Sequence, residues 1–251
     1  RLDNRPYFDP LTILTAVAAV TSKVRLGTSV LVLPWHDPPR LGKTVATLDH
    51  LSNGRVSLGI GVAMTEDEFE NLGVDFKTRG RRTDDLLGAL QALWTQETPE
   101  YAGPFYTYSG QKFSPKPKQK PYPPILVGGG SKAALRRTVG FGDGWHALRK
   151  TPGQIREAMA ELAAMMDAAG RDVADLHISI SLPVGMGMKA SSRVADDHTS
   201  LKGAAQDMAD TIRAYGEAGI DEVVLSFASR EKAAHAEMIE LLAGEVRQLV
   251  D

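Results

Sequence analysis

Ile125-Leu126-Val127 is a short β-branched run that opens directly into Gly128-Gly129-Gly130-Ser131. Three consecutive glycines before a serine helix cap let backbone N–H groups approach an anion with no Cβ in the way, and the helix dipole adds favourable potential. A phosphate is the chemistry such a loop serves, with Lys132 as a nearby charge, although a merely tight turn has the same composition. A second unusual stretch is Gly27-Thr28-Ser29-Val30, small and polar residues set inside the apolar run Val24–Leu33. It reads as a bulge or as close packing at a barrel corner. Trp145-His146 and Arg149 fall at the end of another strand-like segment, and His36 lies beside Trp35 and two prolines. Trp145 and both histidines are candidate substrate-pocket residues. Gly59-x-Gly61 lacks the third glycine of a dinucleotide fingerprint, so a Rossmann reading fails. His177, His198 and His235 have no metal-ligand spacing, and no metal site is expected. Arg79, Arg81 and Arg82 stand beside Asp84 and Asp85 and read as an ion-paired helix start.

These residues need elements to position them. Val24–Leu33 has the pattern of a strand buried on both faces. Asp37 is a predicted N-cap with Pro38 at the first helical position. Leu41, Val45, Leu48 and Leu51 then give one apolar helical face, and Asn53-Gly54 a left-handed stop. Arg55–Gly61 completes a strand–helix–strand unit of right-handed crossover. Asp9-Pro10 caps a helix to about Val20. Further helices are predicted over Thr65–Leu72 (short), Thr83–Thr95, Ser131–Val139, Pro152–Ala169, Ala204–Ala218 and from Arg230. Six principal strands fall near Val24, Arg55, Ile125, Gly144, Leu176 and Glu222. Tyr101–Phe113 alternates aromatics with turn residues, which predicts a small hairpin.

Regular β/α alternation with buried strands means a parallel sheet surrounded by helices. An eight-stranded barrel needs two strands more than the six found. The expected fold is therefore a (β/α)8 TIM barrel whose first two strands lie upstream of Arg1, about 40–60 residues at the usual size of such units. The 251 residues would form a single domain, 1–251, with the hairpin inserted at about 100–115. In such barrels the loops after the strands build the active site.

The motifs LGTSVLVLP, KTVATLDHLSNGRVSLGIG, FENLGVDFKTRGRRTDD and PKPKQKPYPPILVGGGSKAALRRTVGFGDGWH, with a weaker echo in DMADTIRAYGEAGIDEVVLSF, cover most of the chain. Together they resemble the luciferase-like monooxygenase superfamily, close to its coenzyme F420-dependent oxidoreductase branch. The resemblance implies a bacterial-luciferase-type barrel with a cis-peptide bulge at Ser29-Val30 supporting the cofactor ring. It implies that Gly61 and Thr65 line the ring edge, and that Gly128, Gly129, Gly130 and Ser131 hold the phosphate. Val62 stands where some F420 enzymes carry a carboxylate, so that proton donor is missing. A catalytic acid or base is expected upstream of Arg1 and has no residue here.

The implied activity is hydride transfer between a deazaflavin, coenzyme F420, and a small organic substrate. An FMN-dependent monooxygenase is the close alternative, and a non-catalytic flavin- or F420-binding protein a second. A homodimer pairing through the Pro10–Val20 and Leu41–Leu51 helices is expected. Net charge of −2 argues against nucleic acid or an acidic membrane as a partner. The apolar run Leu11–Val20 is too short to span a bilayer. The absence of cysteine removes disulfides and thiolate metal sites and fits a cytoplasmic location.

Overall fold

The computed structural model describes residues 8–69, 73–184, 199–227 and 232–250. The chain divides into two compact units, Arg1–Gly128 with Gly140–Asp143, and Gly129–Val139 with Gly144–Asp251.

The first unit opens on helix α1 (Pro10–Val20), whose N-cap Asp9 accepts from the Thr12 N–H at 2.7 Å. Two short strands follow, β1 (Leu26–Gly27) and β2 (Leu31–Val32), then helix α2 (Pro38–Leu51) and strand β3 (Val56–Gly61). Asp37 caps α2 with Pro38 in its first turn, as the sequence predicts. Where one strand over Val24–Leu33 is expected, the structure has two. Leu26 pairs with Val56, but Leu31 pairs with Ile60. Five residue steps on one side thus face four on the other, which is a bulge of one extra residue. Val24 is 53% exposed and lies before the strand rather than in it. Strand β3 also pairs in parallel with β6 (Ile125–Gly128), Leu58 opposite Ile125 and Ile60 opposite Val127.

Alternation along these strands makes two unlike faces. Leu26, Leu31, Val56, Leu58, Ile60, Ile125 and Val127 form a buried apolar face. Ser57, Gly59, Gly61 and Gly128 lie on the other. Helix α3 (Arg79–Thr95) buries Leu86, Leu87, Leu90, Leu93 and Trp94, and begins four residues before the predicted Thr83. The expected helix over Thr65–Leu72 is only a 3-10 turn, Glu66–Glu68, within its described part; residues 70–72 lie outside the described residues. Strands β4 (Tyr101–Ala102) and β5 (Thr107–Tyr108) form an antiparallel hairpin. The proline-rich stretch after it contains no regular element up to β6, and the lysines around it act as staples. Lys116 donates to the carbonyls of Leu93 and Gln96 at the end of α3, and Lys43 to that of Ser114. His50 contacts the Lys116 carbonyl at 2.9 Å.

The second unit carries helix α4 (Lys132–Phe141), strands β7 (Gly144–Leu148), β8 (His177–Val184) and β9 (Glu222–Phe227), and helices α5 (Pro152–Ala168), α6 (Ala205–Gly216), α7 (Lys232–Leu241) and α8 (Arg247–Val250). A π-helical turn, Leu242–Val246, joins the last two. The three strands are parallel, with His146 opposite Ser179 and Ser179 opposite Glu222. One face contributes Trp145, Ala147, Ile178, Ile180 and Leu182 to a core completed by Leu162, Met166, Met208 and Tyr215. The other face carries His146, Ser179 and Ser181. The start of the last helix at Arg230 and the histidine at 198 lie outside the described residues.

Candidate functional site

The bulge in the first unit is held by glycines. Thr28 donates its hydroxyl to the Gly59 carbonyl at 2.7 Å. A Cβ on Gly59 would sit 1.9 Å from the Thr28 carbonyl oxygen, so nothing larger fits there. A Cβ on Gly61 would come within 2.6 Å of one Val30 methyl, and a Cβ on Gly128 within 2.8 Å of the other. Val30 therefore lies over a floor of three glycines on two neighbouring strands, at their C-terminal ends. The Ser29–Val30 peptide is cis. Ser29 is exposed and Val30 half-buried. The structure thus brings Val30, Gly61 and Gly128 together beside Ser29. Thr65 stands exposed beyond Ala63, whose φ of 72° turns the chain after β3. His36 is half-buried just before α2, and burial holds its imidazole below the usual pKa of 6.5, with Asp9 pulling the other way.

In the second unit the glycine loop is held from behind. The Gly129 N–H donates to the His146 carbonyl at 3.1 Å, and the Trp145 indole donates to the Gly129 carbonyl at 2.6 Å. Gly129 has φ +122°, a conformation that side-chain-bearing residues rarely adopt. Ser131 Oγ accepts from the Ala134 N–H at 3.2 Å and opens α4. Trp145 is fully buried and belongs to the apolar core, which makes it a support for the loop. His146 is 2% exposed on the opposite strand face, with its Nδ1 2.8 Å from Ser179 Oγ. Burial lowers its pKa, against a smaller opposing pull from Glu222.

Two charges differ from the sequence reading. Lys132 reaches Glu161 at 3.5 Å. The lysine beside the loop is Lys150: a Cβ on Gly130 would lie 2.9 Å from its Cε and 3.6 Å from its Nζ. Its backbone carbonyl accepts from the buried Tyr215 hydroxyl at 2.8 Å, which fixes where its side chain begins. The signal for it in the sequence was the basic pair Arg149-Lys150 just past the strand end. Ser179 had no sequence signal, because only the β7–β8 register brings it to His146. Among the described residues, no group of three or more His, Asp or Glu could hold a metal ion, and no helix is long and apolar enough to cross a membrane.

Over 239 residues the chain is 34% identical to an uncharacterized protein of Mycobacterium tuberculosis, covering 95% of this chain and 76% of that one. It is 29% identical over 168 residues to an FMNH2-dependent dimethylsulfone monooxygenase of Pseudomonas putida, covering 66% of this chain and 46% of the other. Among solved structures, an F420-dependent secondary alcohol dehydrogenase, in complex with an F420-acetone adduct, superposes with a TM-score of 0.84. The match spans 100% of this chain and 86% of that one at 16% identity. That likeness shows the fold, an α/β fold of the luciferase-like TIM-barrel class. Residues 2–248 match the luciferase-like monooxygenase family, whose members are oxidoreductases and monooxygenases, and the chain belongs to that family.

Proposed function

We propose that the protein is an oxidoreductase that transfers a hydride between coenzyme F420 and a small organic substrate. The observation that carries this reading is the bulge at Ser29-Val30, seated on Gly59, Gly61 and Gly128 at the ends of two parallel strands. It offers a firm, nearly featureless bed on which an isoalloxazine-like ring can rest. A bound deazaflavin would supply the hydride chemistry, and the protein the orientation and the exclusion of water. Ser29 and Val30 would bear on the ring, with Gly61 and Thr65 along its edge. Gly128, Gly129, Gly130 and Ser131 would meet the phosphate, with Lys150 as its counter-charge. His36 and His146, whose imidazole pKa values burial lowers, would hydrogen-bond a substrate oxygen.

A second reading is an FMN-dependent monooxygenase, favoured by the 29% identical relative of that type. The two separate in one experiment, a titration with F420 and with reduced FMN side by side, followed by absorbance under exclusion of air. Saturable binding of F420 with weaker binding of FMN supports the deazaflavin reading. The reverse order establishes the monooxygenase reading in its place, and binding of neither overturns both. Saturable F420 binding with no turnover against a panel of alcohols and ketones would favour a carrier.

A further inference from the structure

Helix α3 begins against the usual electrostatic rule. Its first turn holds Arg79, Arg81 and Arg82 and no acidic residue. Cations there are repelled by the positive end of the helix dipole. The expected compensation by Asp84 and Asp85 is absent: among the described residues none of the three arginines is ion-paired to a carboxylate. Asp85 is instead consumed by the hairpin, accepting from the Tyr101 hydroxyl and from the Phe105 and Tyr106 N–H groups at 2.7, 2.8 and 3.0 Å.

The arginines are held by aromatic rings. Arg79 lies 3.7 Å over the Phe76 ring, while Arg82 and Arg81 lie 4.4 and 5.7 Å from the Phe105 ring centre. A stacked guanidinium is fixed in orientation yet keeps its in-plane donors available, roughly five for each arginine. Among the described residues, Arg79 donates to the Phe76 carbonyl and Arg82 to Thr78 Oγ1, and Arg82 lies beside the Tyr106 phenol. Among the described residues, the buried Nε of Arg79 has no hydrogen-bond partner. Tyr106 is also within electrostatic reach of Asp37, the cap of α2, so the cluster lies near the loop that follows β2.

We propose that Arg79, Arg81 and Arg82, held by Phe76, Phe105 and Tyr106, form a binding site for the carboxylate or phosphate group of a small-molecule ligand. The site's chemistry is charge-assisted, forked hydrogen bonding, which arginine provides and lysine does not. Such a group could belong to an acidic substrate or to the acidic tail of the cofactor.

Isothermal titration of the full chain with citrate and with inorganic pyrophosphate tests the site without any cofactor. The parent should bind at least one of them. The double variant Arg81→Gln/Arg82→Gln should bind it at least tenfold more weakly, and the exposed Lys23→Gln should bind it as the parent does. Arg82→Lys should recover only part of the loss. Arg82 also braces the hairpin, so the exposed Arg81→Gln alone is the safeguard; it should weaken binding severalfold at an unchanged melting temperature. No binding by the parent, or equal binding by parent and double variant, overturns the proposal. A second arm compares F420 bearing a long glutamate tail with the tail-less form. If the parent prefers the tailed form and the double variant does not, the anion is the cofactor's. If tail length changes nothing while citrate binding still falls, it is the substrate's. Because the first arm needs no cofactor, failure of the F420 reading leaves it standing.

Discussion

The indole N–H of Trp145 donates to the carbonyl of Gly129 across 2.6 Å, which ties the glycine loop to a residue fixed in the apolar core. Trp145→Phe would keep most of the bulk and lose this bond. We expect a loss of about 1–2 kcal/mol in stability, measured by urea unfolding. Phosphate-bearing cofactor should bind a few-fold more weakly, because the loop is no longer held. An unchanged unfolding midpoint would show that the bond has no net value.

Lys150→Gln removes the charge beside Gly130 and leaves the Tyr215 bond to the backbone intact. Cofactor affinity should fall roughly tenfold, with little change in melting temperature. Gly129→Asp adds a Cβ at φ +122° and a negative charge, and should weaken binding by about 2–3 kcal/mol. If both variants bind F420 and FMN like the parent, the phosphate lies elsewhere.

Gly59→Ala should be among the most damaging single-atom changes in the chain. The added methyl would meet a backbone carbonyl at 1.9 Å, and neither strand can yield without breaking the ladder. A destabilisation of at least about 3 kcal/mol is expected in thermal unfolding. The opposite control is Gly140→Ala, where a Cβ meets nothing within 4 Å and helix propensity favours the change.

Two groups make stability depend on pH in opposite ranges. Burial, with the Asp85 hydrogen bond, pushes the Tyr101 phenol up to about 12 from an ordinary 10.0. Its contribution is complete below pH 10 and is lost as pH rises through the folded value. The stability advantage of the parent over Tyr101→Phe should therefore shrink between these values. Burial lowers His146 below 6.5, so its neutral form contributes above that pH, and the contribution is lost as pH falls through the depressed value. An NMR titration of the His146 ring should find a midpoint below 6.5, and His146→Gln should flatten the acid limb of the stability curve.

We also expect a mass of two chains by light scattering at micromolar concentration, because α1 and α2 leave Ile13, Val20 and Leu51 46%, 82% and 59% exposed. A one-chain mass would reject the homodimer.

Periodicity and capping made most elements legible. Asp9 and Asp37 each cap the helix that its proline begins, because the N-cap pattern depends only on neighbouring residues. What escaped was whatever depends on distant partners. The break between β1 and β2 depends on glycines about thirty residues later. That no carboxylate among the described residues pairs with the α3 arginines could not be foreseen, because Asp85 is taken by a hairpin sixteen to twenty-one residues away. Ser179 came to its place beside His146 through strand register alone.

The extra residue between Leu26 and Leu31 acts as a phase shifter. Residues an odd number apart on a regular strand point to opposite sides, yet these two leucines are both buried on the same face, 3% and 4% exposed. The added residue restores the inward orientation after the interruption, so the lining of the bed can change in size or chemistry while the core on either side stays in step. Deleting one residue there would cost more than a loop, since it would turn Leu31 towards the glycine floor and take it out of the core.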